Sequence, residues 1–287
     1  MSTPALLSLD GLTVRVPEKE RIGGGIGDLT LVHDLSLSIR PGERVALVGE
    51  SGSGKSITAR AILQLDPHLQ LSGSIDWDCR QLIGASPSAL RRVRGAEISM
   101  IFQDPMTALN PVLTIGEQVA EPLLVRGVSK KEAYRRAAEM LDRLRVPQAK
   151  ERLRSYPGQF SGGMRQRVVM AAALVAQPRL LIADEPTTAL DVRVQEQVLD
   201  ILEEQSRELN LAVLFITHDL AIVAGLAQRV AVMFRGHLVE DRPVDDLFAH
   251  PEHPYTRGLI GSVPRLDADP DVRLKTVGDY LAEGSAA

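Results

Sequence analysis

The run Val45-Ala46-Leu47-Val48, followed by Gly49-Glu50-Ser51-Gly52-Ser53-Gly54-Lys55-Ser56, constrains the fold more than any other stretch of this chain. An apolar, strand-like run enters a glycine-rich loop, and a helix-like segment, Ile57 to Leu65, leaves it. That order fits G-x-x-x-x-G-K-[ST], a cradle for phosphate groups. Glycines let the backbone curl into a nest whose N–H groups converge on an anion. The start of the following helix adds unsatisfied N–H groups and a positive dipole end. Lys55 supplies a mobile charge for β- and γ-phosphates, and Ser56 a hydroxyl for Mg²⁺. The competing reading is a glycine-rich turn that binds nothing. The strand before and the helix after argue against it.

A chain of 287 residues is long enough to bury a large core. It also lies near the size at which one core divides, so one large domain with a subdomain, or two domains, is expected. A net charge of −4 and a pI of about 5.9 argue against a general nucleic-acid binder, so no nucleic-acid partner is expected. Cys79 is the only cysteine, which excludes an internal disulfide and suits a reducing compartment. Its best reading is a small buried hydrophobe. Met1 to Leu9 lacks the basic start and long apolar run of a secretory signal. The longest apolar run, Val168 to Ala176, falls well short of the ~20 residues a membrane span needs. The expected location is therefore cytosolic, with a membrane reached only through a partner.

Along the chain, Leu6 to Val16 and Leu35 to Ile39 alternate as strands, and Pro41-Gly42 turns the second into the strand Arg44 to Val48. Glu18 to Asp28, charged and then glycine-rich, reads as a flexible loop. Gly73 to Trp77 and Glu97 to Phe102 are further strands. The opening strands have an antiparallel character, whereas the later apolar runs suit a buried parallel sheet. Thr114 to Val125, Lys130 to Leu144 and Gly162 to Ala176 carry helical periodicity, with Ala133, Ala137, Met140, Leu141 and Leu144 on one face. The βα pattern resumes with strand Leu180 to Ala183, a helix marked by Val194, Val198, Ile201, Leu202 and Leu209, strand Leu211 to Thr217, helix Leu220 to Leu226 and strand Val230 to Phe234. The expected fold class is α/β. An α/β core spans 1–103 and 173–245, a helical subdomain spans 104–172, and a C-terminal extension spans 246–287, finishing in a mobile stretch, Ala282 to Ala287. Ligands belong at the carboxyl ends of the parallel strands.

Other chemical groups fall at such strand ends and helix starts. Leu180-Leu181-Ile182-Ala183 ends in Asp184-Glu185. Asp184 can hold Mg²⁺ beside phosphates, and Glu185 can orient or deprotonate an attacking water. Ser161-Gly162-Gly163-Met164-Arg165-Gln166 opens a helix, with Ser161 as N-cap and glycines that leave room for a phosphate. An ordinary capped helix explains the same residues. Gln103 either coordinates Mg²⁺ or is a polar residue entering a loop. His218 either donates to a γ-phosphate or is satisfied by Asp219.

Taken together, the motifs resemble those of an ATP-binding-cassette (ABC) ATPase. The phosphate loop Gly49–Ser56, Gln103, the signature Ser161–Gln166, the run ending Asp184-Glu185, the loop Thr188-Ala189-Leu190-Asp191 and His218 occur in that family's order over about residues 6–245. Finer wording is similar to the dipeptide, oligopeptide and nickel importer branch: Gly-Glu-Ser-Gly-Ser-Gly-Lys-Ser, Phe102-Gln103-Asp104-Pro105-Met106-Thr107-Ala108-Leu109-Asn110-Pro111, Asp184-Glu185-Pro186-Thr187-Thr188-Ala189-Leu190-Asp191, and His253-Pro254-Tyr255-Thr256. The signature is similar to that of the first of two paired ATPase subunits.

The resemblance implies a P-loop core with an antiparallel β subdomain and an inserted helical subdomain. It implies nucleotide contacts from Gly49, Glu50, Ser51, Gly52, Ser53, Gly54, Lys55, Ser56, Ile57 and Gln103. Ser161, Gly162, Gly163 and Gln166 would face a partner's ATP. Mg²⁺ would be held by Ser56, Gln103 and Asp184, and catalysis carried by Glu185, His218 and Lys55. It implies a heterodimer with a homologous ATPase, two permease subunits, an extracytoplasmic solute-binding protein, and a place on the cytoplasmic face of the inner membrane. The cargo expected is a di- or oligopeptide, with a nickel or metal chelate as the alternative.

A soluble cassette ATPase of ribosomes or DNA would generally carry two cassettes or long insertions. A small-molecule kinase would leave Ser161–Gln166 and Thr188–Asp191 unused. The sequence departs from the family in two places. The aromatic residue that stacks on adenine falls near Val16, yet no Phe, Tyr or Trp precedes Trp77. Several relatives carry a cysteine-rich iron–sulfur segment near the C-terminus. No cysteine follows Cys79, so no cluster is expected.

Overall fold

The computed structural model describes residues 4–20, 27–103, 108–187, 191–262 and 276–284. Its contacts divide the chain into two compact units. One comprises Met1–Arg40, Arg44–Gly84 and Phe215–Ala287, the other Pro41–Glu43 and Ala85–Leu214.

The first unit opens with strand β1 (Leu7–Val16), which pairs antiparallel with β2 (Leu29–Ile39) and with β4 (Gln70–Trp77). The short strand β5 (Arg80–Gln81) completes a four-stranded sheet in the order β2-β1-β4-β5. Alternation explains its buried face: Leu7, Leu9, Leu12 and Val14 point inward from β1, as do Leu35, Leu37 and Ile39 from β2. The antiparallel opening is as the sequence predicts, although β2 starts well before Leu35. A short 3₁₀ turn, Glu18–Glu20, follows β1, and residues 21–26 of the expected loop lie outside the described residues.

Strand β3 (Arg44–Val48) is buried beyond its first residue and runs parallel to β9 (Arg229–Phe234), with Val48 opposite Val232. Helix α1 follows β3 and spans Lys55–Ile62, two residues earlier than periodicity suggests. Strand β10 (His237–Pro243) returns antiparallel to β9.

In the second unit β6 (Ile98–Ile101) and β7 (Leu180–Asp184) are parallel, Ile101 opposite Ala183. Helices α2 (Pro87–Val93), α3 (Ile115–Leu124), α4 (Lys130–Arg143), α5 (Ala149–Arg152), α6 (Gly162–Leu174) and α7 (Val192–Glu208) surround them in sequence. Thr114 starts α3 with a capping box closed by Glu117, and Ser129 caps α4. The predicted face of α4 is the buried one: Ala133, Ala137, Met140, Leu141 and Leu144 are at most 5% exposed. The apolar run Val168–Ala176 is core. Val168, Met170, Ala171 and Leu174 are fully buried. Among the described residues no helix is long and apolar enough to cross a membrane.

Strand β8 (Ala212–Thr217) begins in the second unit and ends in the first. After it the first unit holds α8 (Leu220–Leu226), α9 (Val244–Ala249), α10 (Pro254–Gly261) and α11 (Val277–Gly284). The last corrects the expectation of a mobile stretch from Ala282. Residues 282–284 end a helix, and 285–287 lie outside the described residues. Cys79 is exposed, not buried. It sits at φ 61° in the turn between β4 and β5, where the chain turns away from the core.

The β1–β4 pairing is irregular between Asp10 and Thr13, and Gly73 of β4 lies against that irregularity. A Cβ at Gly73 would lie 2.3 Å from the carbonyl oxygen of Gly11, and Gly73 has φ 88°. Gly73→Ala should therefore destabilise the protein by about 2 kcal/mol or more. Thermal unfolding should record this as a Tm lower by about 5 °C.

Candidate functional site

Strand β3 delivers the chain to Gly49, and the loop from Gly49 to Gly54 ends in α1. The loop is pressed onto β9: a Cβ at Gly49 would lie 2.2 Å from the Met233 carbonyl oxygen, so only glycine lets the two backbones approach this closely. The Ser53 N–H donates to the Glu50 carbonyl (3.1 Å), which closes a turn inside the loop. Lys55 is 5% exposed. Its Nζ donates to the carbonyl oxygens of Gly49 (2.7 Å) and Glu50 (2.8 Å) and to Ser53 Oγ (3.3 Å). The buried cation is thus aimed into the loop by the loop's own oxygens. Ser56 and Ile57, both half-buried, continue the first turn of α1.

This helix start differs from those of α2, α3, α4, α6 and α7. Ser86, Thr114, Ser129, Ser161 and Asp191 cap α2, α3, α4, α6 and α7 through side-chain oxygens. The N-cap of α1 is Gly54, in the left-handed region at φ 106°, with no side-chain cap and no acidic residue in the first turn. A helix start whose N-cap offers no side-chain oxygen and whose first turn holds no carboxylate, beside a buried ammonium, suits an anion brought from outside. The residues therefore fit a nucleotide's phosphates. Mg²⁺ bound mainly through phosphates and water needs only one or two protein oxygens, and the Ser56 hydroxyl is an oxygen of that kind.

The outer edge of the loop is held by residues to which the motifs gave no role there. The Gly236 N–H donates to the Ser53 carbonyl (2.9 Å). The Glu50 N–H donates to Tyr255 Oη (2.7 Å). Tyr255 is fully buried, its ring 4.2 Å from that of Phe234, and burial pushes its phenol up to about 12. Glu50, Ser51, Gly52 and Ser53 share a cavity of about 240 Å³ with Phe234, Arg235, Val277 and Gly278. Glu50, predicted as a phosphate contact, thus has its amide engaged by Tyr255. His218 lies in the same unit, exposed just past β8, and the adjacent Asp219 N–H donates to Thr217 Oγ1 (3.0 Å).

In the second unit the register of β6 and β7 places Gln103 and Glu185 side by side, each two residues beyond the pair Ile101–Ala183. Gln103 Nε2 donates to Glu185 Oε2 (3.0 Å). Asp184, which ends β7, is 4% exposed. Glu185 has φ 46°, left-handed for a residue with a side chain, a conformation costing about 1 kcal/mol or more. An amide donor fixes the carboxylate's direction without neutralising it, so Glu185 keeps the capacity to accept a proton.

The signature residues separate into two groups. Ser161 Oγ accepts from the Met164 N–H (3.4 Å), so the hydroxyl caps its own helix. A Cβ at Gly163 would lie 2.4 Å from Val194 Cγ1. The glycine is required by the packing of α6 on α7, a reason that the spacing did not reveal. Gln166 is fully buried, its Nε2 bonded to the Pro186 carbonyl and its Oε1 buried without a hydrogen-bond partner. Gln166, expected to face a partner's ATP, thus has a side chain that braces the turn after Asp184-Glu185. Arg165 Nε donates to the carbonyls of Pro157 and Phe160 (3.0 Å each) and fixes the approach to α6. Asp104–Thr107 and Thr188–Leu190 lie outside the described residues. Asp191 Oδ1 accepts from the Val194 N–H (3.0 Å) and caps α7.

Residues 32–188 match the family described as ABC transporter, and residues 239–283 match the C-terminal region of oligopeptide/dipeptide transporters. The chain is 48% identical over 255 residues to the oligopeptide transport ATP-binding protein OppD of Escherichia coli strain K12, covering 88% of this chain and 76% of that protein. It is 49% identical over 245 residues to OppD of Salmonella typhimurium strain LT2, covering 85% and 73%. Among solved structures it is similar to the dimeric post-hydrolysis state of the ATP-binding cassette MJ0796 bound to ADP and Pi, with a TM-score of 0.72 and 28% identity over 83% of this chain and 98% of that one.

The two readings of Gly163, packing and phosphate access, can be separated. Gly163→Ala should destabilise the protein by about 1–3 kcal/mol through overpacking. Adding Val194→Ala should restore most of that loss in denaturant unfolding, because the two sites are in contact. Activity that stays lost in the restored double variant would assign Gly163 a role beyond packing.

Proposed function

This chain belongs to the ABC transporter family, and from that premise we propose that it is the ATP-hydrolysing motor subunit of a membrane importer for di- and oligopeptides. The observation that carries the cargo class is the match of residues 239–283 to the C-terminal region of oligopeptide/dipeptide transporters. The OppD relatives agree with it over most of the chain. The reading includes the division into an ATP-binding core (1–103 and 173–245), a helical subdomain (104–172) and a C-terminal extension (246–287). Its partners are a second, homologous ATPase subunit, two permease subunits and an extracytoplasmic solute-binding protein. Its place is the cytoplasmic face of the inner membrane.

Lys55 and the amides of the loop Gly49–Ser56 hold the phosphates, Glu50 acting through its carbonyl on Lys55. Ser56, Gln103 and Asp184 are assigned to Mg²⁺, which when bound would neutralise charge on the β- and γ-phosphates. Glu185 orients the attacking water and accepts its proton, a role its bond to Gln103 supports by fixing the carboxylate. His218 contacts the γ-phosphate. Ser161, Gly162 and Gly163 face the ATP of the partner subunit in a head-to-tail pair; the dimeric state of a structural relative supports the pairing of two cassettes. A triphosphate neutralised from both sides joins such a pair, and hydrolysis removes that bond. Val16, half-buried at the end of β1, offers adenine only apolar contact, so the partner chain is the other candidate to hold the base.

Glu185→Gln should bind ATP normally but lose about 100-fold or more of its turnover, the usual contribution of a positioned base. Lys55→Ala should weaken ATP binding itself by about tenfold or more, as loss of a charge-assisted contact does. Isothermal titration and phosphate release measure the two effects separately. Near-normal hydrolysis by Glu185→Gln would remove Glu185 from the mechanism.

A further inference from the structure

The phosphate loop is held from its outer side by a chain of contacts that runs through the C-terminal segment. Glu240 of β10, 8% exposed, accepts the N–H groups of Glu252 (2.9 Å) and His253 (3.1 Å) on its two carboxylate oxygens. His253 Nδ1 in turn accepts the Tyr255 N–H (3.1 Å) and caps α10, with Pro254 in the first turn. That cap sets the direction of Tyr255, whose ring lies on Phe234 and whose hydroxyl meets the Glu50 N–H at 2.7 Å. Helix α11 lies close on α10. A Cβ at Gly258 would come within 2.9 Å of Val277 Cα, and one at Gly261 within 2.4 Å of Tyr280 Oη. This packing brings Val277 and Gly278 to the cavity whose other wall is Glu50–Ser53.

Each contact suits a positioning role better than simple filling. The Glu50 N–H belongs to a loop whose amides must converge on an anion, and Tyr255 commits this one outward. Because burial keeps the phenol protonated far above neutral pH, the acceptor is a neutral hydroxyl that places no negative charge beside the phosphates.

We propose that Tyr255 is a positioning residue that couples the docking of helices α10 and α11 to the binding of nucleotide phosphates at Gly49–Ser56. The inference rests on the reading of that loop as the ATP site. Coupling of this kind is reciprocal: the docked segment tightens ATP binding, and ATP tightens docking of the segment by the same factor.

Tyr255→Phe keeps the ring on Phe234 and removes only the hydroxyl. In the full-length chain, loss of that bond should raise the Kd and the KM for ATP with Mg²⁺ about three- to tenfold, the worth of one buried hydrogen bond. The effect should fall on KM more than on kcat, with the nucleotide-free Tm lowered by no more than about 2–4 °C. ATP should slow limited proteolysis of the C-terminal segment in the wild type and not in the variant, a difference that simple packing would not produce. Equal affinities in the two proteins, or equal protection of the segment by ATP in both, would overturn the coupling. A wild-type chain that fails to bind ATP would overturn the reading of the loop, and the coupling with it.

Discussion

The contact between Gly49 and the Met233 carbonyl is the constraint on which the rest of the first unit depends. It exists because β3 and β9 are parallel neighbours and the loop must leave β3 across the end of β9. From there β9 turns at Arg235-Gly236, and the Gly236 amide reaches the Ser53 carbonyl. The same turn is tied to β2: the His33 N–H donates to the Gly236 carbonyl (2.8 Å), and the rings of His33 and His237 stack at 4.5 Å. The return strand β10 then supplies Glu240, and through it the direction of Tyr255. The loop is therefore shaped by residues distant in sequence as much as by its own glycines. Lys55 follows from that shape, because its ammonium is held by carbonyls the loop turns inward.

A parallel register plays the corresponding part in the second unit. Ile101 opposite Ala183 is enough to bring Gln103 to Glu185. The left-handed backbone at Glu185 is strain located at the residue proposed to handle the attacking water. Gln166 helps to hold it by fixing the Pro186 carbonyl from the buried side of α6. The signature helix thus has an internal duty at Gln166 and Gly163 and an outward face at Ser161, exposed at the helix start. Bracing residues and facing residues alternate along one short motif.

Much of the α/β architecture could be read from periodicity, because burial dictates it. The face Ala133, Ala137, Met140, Leu141 and Leu144 is one example, and the fully buried strand β7 is another. The positions of the chemical residues were legible too, since strand ends and helix starts follow from hydrophobic pattern. Their contacts were not. Tyr255 lies 205 residues from Glu50, and no local pattern encodes such a bond. Gln166 and Gly163 sit in a motif whose outward reading hid an inward requirement. The short helices α2 and α10 did carry a signal, a capping residue followed by proline at Ser86-Pro87 and His253-Pro254, but each is too short for periodicity to show.

The central claim is that nucleotide phosphates seat on the loop between β3 and α1. Hydrogen–deuterium exchange of the full chain, followed by mass spectrometry with and without ATP and Mg²⁺, tests it most directly. The account predicts that exchange slows in residues 49–58, where loop and helix-start amides would be taken up by phosphate oxygens. Unchanged exchange there under conditions where ATP is bound, with protection confined to other segments, would contradict it.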